Sequence, residues 1–198
     1  MVYDRRLEGR SLRSFGGNAM TDNQLIALLI QVLSQGLIDD GYSGVGVIQA
    51  FQPTQQGVNI APAIYLSKSG DYWYGTKQSD YVFDPLEQLY TVAEIQRIET
   101  TFKIQALAIQ NPVTPDAYTA SDLVNEAGSI LRSQTTIDVL RQQGIGLLRS
   151  TEVSNAYDLD DKDQFEAAPA FNIILVYDRT RIIKVSMIEL IDSKITGI

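Results

Sequence analysis

Apolar positions set the elements. Leu25, Leu28, Leu29, Val32 and Leu33 recur at helical spacing and predict a helix that starts at Thr21. Thr21 and Gln24 have the spacing of a capping box. Ile26 and Ile30 fall off the stripe, so the helix is expected to be buried on more than one side. Gly36, or the turn at Asp39-Asp40-Gly41, is expected to stop it.

A period of two follows. Residues 45–51 predict a strand with Val45, Val47 and Phe51 in one phase, residues 53–59 a polar loop, and residues 61–68 a second strand. Residues 70–85 place Tyr72, Trp73, Tyr74, Tyr81 and Phe83 among polar residues and predict a hairpin tip. Its aromatics either fold back on the local core or make a subunit contact, for which Tyr72, Trp73 and Tyr74 are the candidates. A sugar platform is a third use. Residues 89–110 form the longest strand pattern. Ile98, Phe102, Ile104, Ala106 and Ala108 take one phase; Arg97, Glu99, Thr101, Lys103 and Gln105 take the other, toward solvent or a polar lumen. The aromatic segment is expected to connect this strand to the preceding one.

Pro112 and Pro115 break the pattern. Thr119 or Ser121 caps a second helix, with Leu123, Val124, Ala127, Ile130 and Leu131 as its buried stripe. A short helical turn is expected at 137–140, ended by Gly144. A short apolar strand then holds Ile145, Leu147 and Leu148. Residues 152–166 read as a loop too acidic to bury, carrying Asp158, Asp160, Asp161, Asp163 and Glu166 against Lys162. Phe171 to Tyr177 is the next strand, a turn is expected at 178–180, and the tail alternates through Ile183, Val185 and Met187, with 190–195 as a trailing strand. The order predicts an α+β fold: a mostly antiparallel sheet with two main helices packed on one face.

Composition narrows the function. The chain has 198 residues, 44% hydrophobic, and a net charge of −8. It reads as one domain, residues 21–198, preceded by an extended arm, residues 1–20, with Met20 as an alternative start. The arm holds Arg5, Arg6, Arg10 and Arg13 against Asp4 and Glu8, so the remainder is more acidic than the whole. An acidic body argues against nucleic-acid binding as the main activity. The arm fits an acidic surface on a neighbouring subunit better than phosphate.

The sequence contains no cysteine and no histidine, which removes thiolate chemistry and the commonest general base. The spacing of Asp158, Asp160, Asp161 and Asp163 superficially matches a calcium loop, but the turn glycine and terminal glutamate are missing. Gly41, Gly44 and Gly46 precede a strand instead of following one, so they form no dinucleotide fingerprint. No cofactor and no enzymatic activity is expected; the competing reading is a carboxylate- and metal-dependent hydrolase.

One resemblance covers the chain from about Thr21 onward. The residues are Phe51-Gln52-Pro53, Phe102-Lys103-Ile104-Gln105-Ala106, Ala120-Ser121-Asp122-Leu123-Val124, the Gly144–Arg149 strand, and Phe165-Glu166-Ala167-Ala168-Pro169-Ala170-Phe171-Asn172-Ile173. In this order they resemble the tail terminator, or neck, proteins of tailed bacteriophages. The basic arm departs from that pattern. The resemblance implies a virion protein forming a six-fold ring that caps the tail tube and joins it to the head–neck connector. DNA would pass its lumen without specific binding. The arginines of the arm, Tyr72, Trp73, Tyr74 and the acidic loop are then subunit-contact candidates, and Glu99, Lys103 and Gln105 lumen candidates. Another tail component, such as a tube or head-completion protein, is the nearest alternative.

Overall fold

The computed structural model describes residues 20–50, 62–108, 113, 116–159 and 165–186, with the backbone alone for 156–159 and 165–167. The arm, the 53–59 loop, Phe51 and the 190–195 segment lie outside the described residues.

The first helix, α1 (Asp22–Asp39), begins at the predicted cap. Thr21 Oγ1 accepts from the Gln24 N–H at 3.3 Å, and Gln24 Oε1 accepts from the Thr21 N–H at 2.8 Å. Leu25, Ile26, Leu29, Leu33 and Leu37 are buried. Gly36 does not end the helix. It lies inside, where a side-chain Cβ would come within 2.5 Å of Ile130 Cγ2, so its lack of a side chain serves packing. The chain turns instead at Asp40 and Gly41, where Gly41 takes φ +88.

Two strands follow, β1 (Gly46–Gln49) and β2 (Ala63–Asp84), and they pair in parallel with Gly46 opposite Ala63. A parallel pair needs a crossover of about a dozen residues, which residues 50–62 supply in length. β2 continues straight through the aromatic segment that the sequence reads as a connection. Its tyrosines, tryptophan, valine and phenylalanine favour extended backbone. With neither face covered there, no alternation marks it as a strand. The turn falls at residues 85–88, with Gln88 at φ 53, and leads into β3 (Leu89–Leu107). On β3 the expected apolar phase is buried at Ile98, Phe102, Ile104 and Ala106; Thr100 joins it, with its hydroxyl donating to Asp71 Oδ1 at 2.7 Å.

The second helix, α2 (Ala120–Arg132), is capped by Thr119, not Ser121, in a second reciprocal box with Asp122. All five residues of its predicted stripe are buried. The Thr119 bonds hold the Asp122 carboxyl below its ordinary pKa. Its contribution is therefore present above the unfolded-state value and lost as pH falls through the folded one. Replacing Thr119 with alanine is expected to cost about 1 kcal/mol in chemical denaturation.

The helical turn expected at 137–140 is a nine-residue helix, α3 (Gln134–Gln142), begun by Ser133 accepting from the Thr136 N–H. Only Thr136 and Leu140 of it are buried, so its apolar signal in sequence is short. Next come β4 (Gly146–Ser150), β5 (Ser154–Leu159) and β6 (Phe165–Ser186). The acidic stretch is thus no simple loop: part of it is β5, antiparallel to β6. No turn occurs at 178–180. β6 runs on through them, and Asp178 is held by Arg97 of β3 at 3.0 Å.

The strands form one six-stranded sheet in the order β1-β2-β3-β6-β4, with β5 also on β6. The fold is α+β with a mostly antiparallel sheet, and it has three helices where the sequence predicts two main ones. Helix α1 contacts α2, and α2 lies over the buried phase of β6 near Phe171. Lys68 of β2 binds Asp22 of α1 and Asp71, each at 2.7 Å. Partial burial lowers the Lys68 pKa, but the two carboxylates outweigh it and hold the pKa above the ordinary value.

By contacts the chain divides into two compact units. One holds the helices with residues 21–74 and 97–178. The other takes Met20 and residues 75–96 and 179–186 of the described chain, so β2, β3 and β6 each supply residues to both. Within the second unit Val92 and Ala93 are buried, the tilted rings of Phe83 and Tyr90 lie 5.1 Å apart, and Lys77 meets Glu94 at 3.3 Å. Lys184 pairs with Glu87. Asp84 Oδ1 accepts from the Leu86 N–H at 2.9 Å and fixes the turn.

Candidate functional site

The aromatic run of β2 sets three consecutive large side chains into solvent. Tyr72, Trp73 and Tyr74 are 64, 55 and 58% exposed. Successive strand residues point to opposite faces, so aromatic surface is presented on both. In the other unit Tyr81, Val82 and Phe83 are exposed, and Leu86 stands 94% exposed at the turn. Sequence reasoning nominates the first trio. It passes over the exposure of Val82 and Leu86, because a lone apolar residue carries no signal.

The polar phase of β3 falls as expected, with Lys103 exposed and Glu99 and Gln105 half-buried, opposite the buried phase. Asp158 of β5 lies directly across from Glu166 of β6 in the antiparallel register. Asp160, Asp161 and Asp163, and Arg5, Arg6, Arg10 and Arg13, lie outside the described residues. Among the described residues no group of three His, Cys, Asp or Glu side chains is placed to hold a metal ion.

A further acidic corner joins α1 to α2, and sequence reasoning passes over it. Asp39 ends α1, Asp40 caps it, and the last turn has no basic residue. Glu126 of α2 sits against Asp40 and Tyr42; Tyr42 stacks on Tyr118 at 4.6 Å, and Tyr118 Oη donates to the Gly41 carbonyl at 3.4 Å. Burial first, then Asp40, pushes the Glu126 carboxyl above its ordinary pKa, and the Tyr42 hydroxyl eases it back. Burial and Glu126 push the Tyr42 phenol up in turn, with smaller contributions from Asp122 and Tyr118. A raised carboxyl pKa gives stability that is present below the unfolded value and lost as pH rises through the folded one. Glu126→Gln is therefore expected to raise the melting temperature at pH 7–8. The gain should vanish below about pH 4, where glutamate is already protonated.

The fold is an α+β sheet that leaves aromatic strand residues uncovered. The chain belongs to the family described as E217 gateway protein gp29, whose model matches residues 24–187. That is a family of bacteriophage structural proteins and not a family of enzymes, and membership implies a virion component. No curated protein matches it.

Proposed function

We propose that this protein is a ring-forming part of the phage neck that joins the tail tube to the head connector and leaves a lumen for DNA. The observation that carries the reading is the exposure of Tyr72, Trp73 and Tyr74 on a strand uncovered on both faces, in a chain of a phage gateway family. Tyrosine and tryptophan are the residues that anchor protein interfaces. A closed ring needs two different surfaces that fit one another; the aromatic run of β2, the acidic residues of 152–166 and the arginines of 1–20 are the candidates. The tail-terminator role, six-fold symmetry and capping of the tube follow from the sequence resemblance. The polar phase of β3, with Glu99, Lys103 and Gln105, suits a wall facing DNA, and the net charge of −8 keeps phosphate from adhering.

Native mass spectrometry of the purified chain, alone and with tail tubes, tests the ring. Discrete rings of identical subunits are expected; a monomer under both conditions overturns the proposal. Micrographs of particles made without this protein should show unjoined heads and tails. Joined, infectious particles would sink it.

A further inference from the structure

The end of α1 carries negative charge that its surroundings leave uncompensated. A helix C-terminus already acts as about half a negative charge, though here the Gly36, Leu37 and Ile38 carbonyls accept from the Asp40, Tyr42 and Gly41 N–H groups. Asp39 and Asp40 are added there, with Glu126 beside them, and no lysine or arginine among the described residues forms an ion pair with any of the three. Nor is any basic residue near in sequence: none occurs between Arg13 and Lys68. These aspartates edge an open groove of about 470 Å³ between α1, α2 and α3. Val32, Gly36, Ile130 and Val139 line it with Thr136.

The chain also contains a segment of matching chemistry. Residues 1–19 hold Arg5, Arg6, Arg10 and Arg13, and place Leu7, Leu12 and Phe15 among them. Guanidinium groups suit carboxylates and helix-end carbonyls, and the apolar residues suit the groove floor. At about 3.3 Å per residue, nineteen residues reach about 60 Å, enough to leave the subunit they start from. We infer that the groove between α1, α2 and α3 receives the N-terminal segment of a second copy of this chain, with arginines on Asp39, Asp40 and Glu126. This rests on the ring reading above and names one of its heterologous contacts.

Because the chain has no cysteine, full-length variants carrying Gln35→Cys or Ser11→Cys each offer one defined thiol. One variant is grown with nitrogen-15, the two are mixed, and a flexible bis-maleimide is added. The expected product is a linked pair of peptides, one heavy and one light, joining positions 11 and 35. Its yield should fall about tenfold when Asp39→Asn and Asp40→Asn are introduced, as for the loss of two exposed charge pairs. A link found only within one chain of the double-cysteine variant overturns the inference. Rings by native mass spectrometry without the linked peptide overturn the contact and leave the ring standing. A linked heavy–light peptide from a chain that never forms rings keeps the contact and removes the ring.

Discussion

Converting Tyr72, Trp73 and Tyr74 together to threonine is expected to leave the isolated chain folded and to abolish assembly. The three side chains are more than half exposed, so little core area is lost. Exposed substitutions ordinarily change stability by about 0.5 kcal/mol or less each. Threonine also keeps the β preference of the strand. Buried in an interface, the same aromatics would each carry about 2 kcal/mol or more. Losing three weakens association by more than about a thousandfold. Sedimentation velocity should show the shift from ring to monomer, and circular dichroism should show an unchanged melt within a few degrees. As a control, Val113→Thr, at another exposed apolar position, should assemble normally. Retained rings in the triple variant would exclude this strand as an interface.

The second large effect is expected at Gly36. In an open helix, glycine to alanine gains about 1 kcal/mol. Here the new Cβ would stand 2.5 Å from Ile130 Cγ2, and Ile130 is itself buried. Overpacking of that kind costs about 1–3 kcal/mol, so the clash wins and Gly36→Ala destabilises. Leucine at this position should prevent folding. The mechanism is open to a cycle: Ile130→Ala alone costs about 2–5 kcal/mol through its cavity. The Gly36→Ala, Ile130→Ala pair should be less destabilised than the two single losses together, because each relieves the other. Additivity in urea denaturation would show that the helices do not meet here.

The contacts between copies depend on charge. The Arg97–Asp178 pair shows how little exposed pairs add within the subunit. Both partners are about half exposed, where water screens the charges, so its removal should cost under about 1 kcal/mol. The carboxylates at the end of α1 differ because nothing among the described residues neutralises them.

Local signals in the sequence determine a good part of this protein. The caps at Thr21 and Thr119 are short-range hydrogen bonds between residues three apart, so spacing alone reveals them. The stripes of α1 and α2 and the alternation of β3 from Ile98 to Ala106 are legible because each element buries one face and leaves its other surface wet. The missing cysteine and histidine already turn the reading from catalysis to contact. Only the tertiary structure decides what depends on residues far apart. Gly36 looks like a helix stop until Ile130, ninety-four residues later, fills the space beside it. The aromatic segment looks like a loop because an uncovered strand shows no alternation, and pairing with β3 makes it a strand. Residues 178–180 look like a turn because they are polar. Yet β6 runs on through them in hydrogen-bonded pairing, and Arg97 of β3 holds Asp178. Asp39 and Asp40 look like an ordinary acidic pair until α2 sets Glu126 beside Asp40 and a groove opens next to them. Periodicity reports burial along one element; which surface meets which is a property of the packed chain.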